Sequence, residues 1–543
     1  MIRWSTPLIS SLLFILISLA FIPQAGIQND EALFASGIYQ QMGIAQGVKI
    51  FGHRIPVMLI SYLGALKSWL YAPIFRLWKP SAFSLRVPVI LAAGGTIWLF
   101  WSLLRRIAGD RAANTGAALL ASDTLFLITS CFDWGPVVLQ HLLLVSGALC
   151  LVRFHHELAP TFLAGGFFLF GLALWDKALF VWILIGMAIA AALVLSRELC
   201  KSLNLRNLIM ASTAFCLGAA PLIFYNVSFP LETFRSNTGF DSAEVPAKTR
   251  VLLNTFSGIA LLGYIPRNDA AGHPRDPHGM IENISIRISD LTVGRTTGFL
   301  GYALLAAALL FPLLWRTPAR KPMAFAVIAM AAAWIQMLYA KGAGGSVHHA
   351  ILLWPFPALF VAVAFAEASR RIGPVGTPLL AAVLVYLVGA NALVTNEYFS
   401  RLVRNGGGEV WTDAIYPLSD SLRRVKAHTI YINDWGILDV LRLLNRGKLP
   451  LRVGSDPLSK PQLDADDKRI VLARMSEAES IFVGHTDAAE QFAGVNARLR
   501  ALAAEGGYRR EMLAEIADRN GRPIFEVFRF ERDGLRPVAT GSK

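Results

Sequence analysis

The sequence contains few charged residues for its length. Asp, Glu, Lys and Arg form 16% of the 543 residues, whereas 55% are hydrophobic. Charge is missing altogether from residues 4–29, 87–104 and 207–231. Since about 20 apolar residues cross a bilayer, a mainly soluble protein is excluded and a polytopic membrane protein is predicted.

Cysteine is also scarce, and internal repeats are lacking. The four cysteines lie in or beside hydrophobic segments, so no disulfide framework is indicated. The lack of a repeat weighs against a transporter built from duplicated halves. Lys and Arg outnumber Asp and Glu by 51 to 37, a formal charge of +14. Much of this excess occupies short loops between apolar segments, where it reports membrane topology rather than nucleic-acid binding.

About eleven apolar segments have the length of membrane-spanning helices. The first follows Arg3 without a small-residue cleavage site and is predicted to be a retained span rather than a signal peptide. Segment 55–78 carries Lys67 and Arg76 and is predicted to be an amphipathic helix at the interface. The predicted spans are 8–22, 87–104, 112–132, 136–152, 160–175, 178–196, 207–229, 297–315, 322–340, 350–367 and 374–394.

The distribution of basic residues predicts the topology. Loops on one side hold Arg105, Arg106, Arg111, Arg153, Arg197, Lys201, Arg206, Arg316, Arg320, Lys321, Arg370 and Arg371. The opposite short loops hold only Lys177 and Lys341. By the positive-inside rule the basic side is cytoplasmic. Loops 24–86 and 230–295 and the tail from residue 397 are therefore predicted to be extracytoplasmic.

The tail has a different pattern from the rest of the chain. Short apolar runs at 429–432 and 480–483 predict buried strands, each followed by a helical pattern at 438–444 and 488–503. Segments 509–516 and 523–530 flank an Asn-Gly pair that predicts a hairpin. We therefore expect a membrane domain over 1–396 and a small α/β domain over 397–543.

Acidic residues stand at unusual places along the membrane domain. Asp30 and Glu31 follow the first span directly, which is either a functional pair or a helix start capped by Asn29. Asp133 ends the third predicted span just before a Gly-Pro break. Asp123 lies near the middle of that span, where an ionisable side chain is costly and is either functional or hydrogen-bonded within the bundle.

The order of these motifs resembles a known group of proteins. Asp30-Glu31 is followed by Arg54-Ile55-Pro56, then by Ser84-Leu85-Arg86-Val87-Pro88, a basic inner loop at 104–111, and Asp133. This order is similar to that of the integral-membrane glycosyltransferases of the GT-C class, in the group that contains protein O-mannosyltransferases and the lipid A aminoarabinose transferase. The resemblance covers about residues 8–200 and extends to the tail only in architecture.

The resemblance implies transfer of a sugar from a polyprenyl-phosphate lipid in the outer leaflet, usually with inversion. It implies that Asp30 is the general base or the acceptor-orienting carboxylate, and that Glu31 and Asp133 are supporting or metal-contacting acids. A carboxylate suits this role because an acceptor hydroxyl must lose a proton as it attacks.

A departing phosphate needs positive charge on the same face. The candidates are Arg54, near Lys49 and His53 in the first loop, and Lys341, His348 and His349 around a glycine-rich loop. Glycines let backbone amides converge on an oxyanion. The alternatives are a snorkelling lysine and an ordinary flexible loop.

No cofactor is established by these patterns, although a divalent metal ion is compatible with the acids. His273, Asp276 and His278 are ligand types for zinc, but two prolines and irregular spacing favour a solvated loop. Asn433-Asp434-Trp435-Gly436 after a predicted strand favours a turn over an acceptor contact.

A glycosyltransferase of the plasma (inner) membrane is therefore expected, with its catalytic face outside. Its partners would be a polyprenyl-phosphate-linked sugar, membrane lipid and an envelope acceptor, which is a lipid, a polysaccharide or a protein, with no nucleic acid. The alternatives are a transporter or flippase for a lipid-linked or anionic substrate, using Asp123 and Asp133, and a scaffold protein that binds a partner through its tail.

The predicted topology has a direct test. A reporter enzyme that is active only in the cytoplasm, fused after Tyr398, should show little activity because this position lies outside. The same reporter fused after Arg316 should be active. Strong activity after Tyr398 would contradict the predicted orientation.

Overall fold

The computed structural model describes residues 5–40, 46–50, 53–237, 239–292, 294 and 297–532. Its first part is mostly helical, apart from a small sheet that follows the first two helices. The helices are α1 Ser5–Phe21, α2 Asn29–Ser36, α3 Leu66–Leu77, α4 Ala82–Ala108, α5 Asp110–Ser122, α6 Thr124–Cys131, α7 Val137–Glu157, α8 Pro160–Asp176, α9 Phe180–Val194, α10 Ser196–Ser202, α11 Leu205–Gly218 and α12 Ala220–Ser228. The sheet consists of strands β1 Gln46–Ile50, β2 His53–Ile60 and β3 Leu63–Gly64 in that order, all antiparallel.

Eight further helices complete the membrane part, and a mixed α/β region follows. The helices are α13 Glu232–Asn237, α14 Val245–Phe256, α15 Gly279–Leu291, α16 Leu300–Leu314, α17 Arg320–Tyr339, α18 Val347–Ala350, α19 Phe356–Arg371 and α20 Gly376–Asn405. The α/β region contains α21 Ile415–Leu422, β4 Thr429–Ile432, α22 Leu438–Leu444, β5 Leu451–Val453, α23 Ser455–Leu458, α24 Ala465–Ser476, β6 Ser480–His485, α25 Val495–Glu505, β7 Tyr508–Ala517 and β8 Pro523–Arg532.

The protein is a multi-pass membrane protein, although the expected number of eleven spans is not confirmed. Within the described ranges, six helical segments are long and apolar enough to cross a bilayer, or up to eight if each of two bent pairs is one span. One bent pair, α11 and α12, makes an angle of 70°. The predicted span 112–132 is divided because Asp123 is extended and caps α6, accepting a hydrogen bond from the Phe126 N–H at 2.7 Å.

The prediction of one amphipathic helix over 55–78 was wrong for its first half. Residues 53–60 form β2, whose central side chains Val57, Met58 and Leu59 are buried. The indole of Trp175 donates to the Val57 carbonyl at 2.9 Å and attaches this strand to the end of α8. Only the second half is helical, as α3, and it is not among the described helices that could span a membrane.

The α/β region agrees closely with the sequence pattern. Strand β4 has the predicted bounds, and the predicted hairpin is present as β7 and β8. The five strands lie in the order β5-β4-β6-β8-β7, with β5, β4 and β6 parallel. Helices cover both faces: Ile430 and Ile432 belong to the core shared with the membrane part, whereas Tyr431 packs on the other side with α24 and α25.

The α/β region is attached to the segment that follows α1. The Gly26 N–H donates to the Trp411 carbonyl at 2.7 Å, and a Cβ at Gly26 would lie 1.9 Å from the Thr412 carbonyl oxygen. In the β7–β8 turn, Arg519 contacts Asp413 and donates to the Pro23 carbonyl at 2.6 Å. The membrane part and the sheet therefore meet at the point where the acidic pair begins.

Candidate active site around Asp30

Asp30 lies in the first turn of α2, just beyond the first span. The helix begins here because Gln28, and not Asn29, is the cap. Gln28 Oε1 accepts from the Asp30 N–H at 2.6 Å, and the Gln28 N–H donates to Glu31 at 3.1 Å, which completes a capping box. The Asp30 carboxylate forms no ion pair within the described ranges.

The surroundings of Asp30 make its carboxylate a stronger base. Burial raises the pKa of Asp30 to about 6, and the neighbouring carboxylate of Asp439 acts in the same direction. The polar amide of the neighbouring Asn29 and the positive charge of Lys177 act in the opposite direction. A carboxylate with this pKa is mostly ionised at neutral pH and still takes up a proton readily.

Glu31 is held by Arg86 in a buried ion pair. Arg86 Nε and Nη2 donate to the two Glu31 oxygens at 3.0 and 2.8 Å. The remaining guanidinium hydrogens reach the carbonyls of Ile22, Ala25 and Gly26 at 2.6–2.9 Å. All five donors of Arg86 are therefore used. This cluster joins α4 to the end of the first span and to α2.

Asp133 is held in the same manner by Lys67, which the sequence pattern placed at the membrane surface. Lys67 Nζ donates at 2.8 Å to both the side chain and the carbonyl of Asp133, and both side chains are 2% exposed. The second Asp133 oxygen accepts from the Val138 N–H at 3.2 Å. This pair attaches α3 to the break between α6 and α7.

Lys177 is a buried cation that the sequence pattern indicated only as a topology marker. It follows α8, is 1% exposed, and donates to the Gly135 carbonyl at 3.1 Å. It forms no ion pair in the described part of the chain. Burial lowers the pKa of Lys177 to about 8, and the charges of Asp176, Asp133 and Asp30 partly oppose this change.

His348 and Lys177 both lie against Gly135. A Cβ at Gly135 would lie 2.9 Å from the His348 ring, so only glycine leaves room for it. The Trp134 indole donates to His348 Nδ1 at 3.1 Å, and the ring proton therefore resides on Nε2. The His349 ring lies 4.3 Å from that of His348, and its Nδ1 is buried without a hydrogen-bond partner.

Aromatic side chains border the same region. Trp134, Tyr264 and Trp411 contact one another with ring centroids 5.5–6.2 Å apart. Burial is the main cause that raises the pKa of Tyr62, and the negative charge of Asp30 adds to it. The same two causes raise the pKa of Tyr264 to about 12. Both phenols are therefore neutral donors beside the carboxylate.

The other two predicted phosphate ligands are placed differently. Lys341 is exposed, and its backbone N–H donates to the Gly239 carbonyl at 2.8 Å. It is not among the charged groups that act on Asp30. Arg54 lies on β2, paired with Lys49, and its side chain is outside the described residues.

No cluster of three or more His, Cys, Asp or Glu side chains that could bind a metal ion occurs in the described ranges. The His273 carbonyl accepts from Asn520 at 2.7 Å, and the His278 N–H donates to Glu282 at 2.6 Å. These contacts use the backbone of the histidine-rich loop to attach the hairpin and to start α15. A divalent ion contacted by Glu31 or Asp133 stays a prediction from the resemblance.

Comparison with known proteins finds a family match over part of the chain. Residues 64–225 match the family described as dolichyl-phosphate-mannose-protein mannosyltransferase. The matched part contains Lys67, Arg86, Asp133 and Lys177, and begins after Asp30. The sequence has no significant match among curated proteins.

Solved structures share the fold over nearly the whole chain. ArnT from Cupriavidus metallidurans bound to undecaprenyl phosphate is 13% identical, with a TM-score of 0.58, covering 96% of this chain and 97% of that one. Its apo form gives 0.56 at 13% identity, covering 95% and 97%. The apo oligosaccharyltransferase of Archaeoglobus fulgidus gives 0.50 at 13% identity, covering 89% and 70%. The resemblance to GT-C glycosyltransferases is thereby confirmed, and the fold is theirs.

The buried pair of Arg86 and Glu31 predicts a large effect on stability. Arg86→Met leaves a buried carboxylate without its partner, which costs about 3–5 kcal/mol. The apparent melting temperature in detergent should fall clearly. Arg153→Met is the matched control, because Arg153 and Glu157 form an ion pair with both side chains about 40% exposed, and exposed pairs contribute about 0–1 kcal/mol. Equal melting temperatures for the two variants would contradict the role of Arg86.

Proposed function

We propose that this protein is a glycosyltransferase that moves a sugar from a polyprenyl-phosphate lipid to an envelope acceptor on the outer face of the membrane. The observation that carries the proposal is the partly buried carboxylate of Asp30, which has no ion-pair partner in the described chain and lies near the buried ammonium of Lys177. The shared fold of ArnT, solved with undecaprenyl phosphate, supports a lipid phosphate as the donor's carrier.

Asp30 is the general base in this proposal. An acceptor hydroxyl hydrogen-bonded to its carboxylate attacks the anomeric carbon of the sugar, and its proton passes to Asp30. The bond between that carbon and the phosphate oxygen breaks on the opposite side, so a single displacement inverts the configuration. The electron pair leaves with the polyprenyl phosphate.

Lys177 and His348 are the groups we assign to the leaving phosphate. A buried ammonium hydrogen-bonded to one carbonyl retains hydrogens for an incoming oxyanion, and the His348 Nε2–H adds a neutral donor. Fixed donors in a poorly hydrated site stabilise developing negative charge. We therefore prefer Lys177 to the exposed Lys341 as the main phosphate contact.

Glu31 and Asp133 act as supporting acids in this proposal. Each is already neutralised by a buried cation, Arg86 or Lys67, through short hydrogen bonds. These two therefore hold the loops in place while Asp30 accepts the proton. The same pairing disfavours a transport path through Asp133, and Asp123 is used as a helix cap.

Asp30→Asn should abolish most of the sugar transfer. The amide keeps the size of the side chain but cannot accept a proton, and loss of a general base costs about 10²- to 10⁴-fold in rate. For the unmodified protein, kcat/KM should fall as the pH drops through about 6, because protonated Asp30 is no longer a base. Asp110→Asn, at an exposed ion pair with Arg105, is the control. Near-normal turnover of Asp30→Asn at saturating donor would reject the proposed role.

Lys177→Met and Lys341→Met distinguish the two candidate phosphate ligands. Loss of a preorganised donor typically costs about 10²-fold in rate, and we expect this loss, with a raised KM for the lipid donor, only in Lys177→Met. Lys341→Met should stay within about twofold of the unmodified protein, as exposed sites usually do. The reverse result would assign the phosphate to Lys341.

A further inference from the structure

A groove with basic side chains lies where α16 and α19 end. It has a volume of about 500 Å³, and the residues that line this basic groove are Phe311, Pro312, Leu313, Trp315, Arg316 and Arg371. The rings of Phe311 and Trp315 meet edge to face, with centroids 5.3 Å apart, and form an apolar wall. Arg371 Nη1 donates to the Leu313 carbonyl at 3.3 Å and thereby joins the ends of the two helices.

The basic groove and the Asp30 site lie at opposite ends of the helix bundle. Arg370, beside Arg371 on α19, donates at 3.3 Å to the carbonyl of Ala108, the last residue of α4. Arg86, which holds the start of α2, lies 22 residues earlier in α4. At 1.5 Å per residue these two positions on α4 are about 33 Å apart. Because the hydrocarbon core of a bilayer is about 30 Å thick, the groove lies at the headgroup level of the other leaflet.

The face of α16 that leads to the basic groove is apolar and exposed. Leu305, Leu309 and Leu313 are spaced four residues apart and are 60–70% exposed. Residues at this spacing share one face of a helix, and an extended apolar face of this kind marks contact with membrane. Trp315 is 50% exposed at the end of the same helix, as tryptophans at a membrane–water boundary commonly are. The groove is therefore open to lipid along α16.

The arginines of the basic groove have no acidic partner among the described residues. Arg316 forms neither a hydrogen bond nor an ion pair there, and Arg371 contacts a carbonyl. Arg320 adds a third positive charge, with its guanidinium 5.5 Å from the centroid of the Trp315 ring. The sequence contains no Asp or Glu from residue 291 to 366. Positive charge is thus concentrated beside an apolar surface without a local counter-charge.

Helix capping explains Arg371 but not Arg316. Arg371 lies in the last turn of α19 and donates to a carbonyl in the last turn of α16, where a cation is favourable. Arg316 also follows the end of α16, yet it donates to no carbonyl in the described chain. The adjacent Arg370 shows the usual compensation, since it pairs with Glu367 at 3.3 Å. Arg316 is therefore available to an anion that enters the groove.

We propose that the basic groove binds an anionic phospholipid of this leaflet. Its phosphate is held between Arg316 and Arg371, whose planar guanidinium groups match the geometry of phosphate oxygens. Its acyl chains follow the exposed leucines of α16, and Trp315 lies beside the ester region of the lipid. Basic pockets between membrane helices bind anionic headgroups in this way. The assignment is independent of sugar transfer, because the groove is remote from Asp30.

Native mass spectrometry of the full-length protein, titrated with dioleoyl phosphatidylglycerol, tests this site. The unmodified protein should bind this lipid more tightly than dioleoyl phosphatidylcholine, which has the same chains and no net charge. Arg316→Gln and Arg371→Gln should each weaken phosphatidylglycerol binding by about fivefold and leave phosphatidylcholine binding unchanged. Arg206, exposed in the first turn of α11 and without an ion pair in the described chain, supplies the matched control. Arg206→Gln should bind both lipids as the unmodified protein does.

The outcomes distinguish a lipid site from general surface charge. Unchanged phosphatidylglycerol binding in Arg316→Gln, or an equal loss in Arg206→Gln, would overturn the proposal. If Arg371→Gln does not fold, Arg316→Gln still decides the matter, because Arg316 makes no hydrogen bond or ion pair with the described chain.

Two further measurements examine the parts of the lipid separately. Glycerophosphoglycerol, the headgroup without chains, should not displace the lipid at equal concentration, because the apolar wall then has nothing to hold. Displacement would overturn the lipid assignment in favour of a free phosphate ester. Phosphatidylglycerol should also raise the apparent melting temperature of the unmodified protein, and raise it less in Arg316→Gln, since a ligand of the folded state stabilises it according to its affinity. An equal rise in both would contradict the role of Arg316.

Discussion

The geometry of the site depends on one buried guanidinium. Arg86 is fully buried, and its five donors are shared between Glu31 and three carbonyls at the end of the first span. Burying a charge is tolerated only when it is paired and hydrogen-bonded, so the segments that supply these acceptors are tied to α4. The start of α2, and with it Asp30, takes its position from this cluster.

The same rule separates the residues that hold the site from those that are free to react. Lys67 satisfies Asp133 as Arg86 satisfies Glu31, and both pairs join distant segments of the membrane part. Asp30 and Lys177 lie in the same region without an ion-pair partner among the described residues. One is a carboxylate whose pKa is raised and the other an ammonium whose pKa is lowered. Such perturbed groups in one region are typical of functional sites.

Sequence reasoning succeeded where the signal is local. The bounds of β4 and α22, the hairpin around Asn520, and the acidic pair after the first span follow from short patterns of burial and turn residues. It failed where partners are far apart in the chain. Lys67 belongs to an amphipathic pattern that predicts a position at the membrane surface, and its partner Asp133 is 66 residues away, so the pattern gives no sign of the buried ion pair. Lys177 gave no local sign of lying near Asp30. The break at Asp123 was missed because its apolar flanks continue a helical pattern.

We propose that the lipid donor is cleaved rather than carried across the membrane. The most direct measurement incubates the purified protein in nanodiscs with a polyprenyl-phosphate-linked sugar and extracted envelope acceptors, and quantifies lipid products by mass spectrometry. Sugar transfer predicts release of one polyprenyl phosphate for each sugar gained by an acceptor. A donor that moves between the leaflets of reconstituted vesicles and is recovered intact, with no acceptor modified, would contradict this claim and favour a flippase.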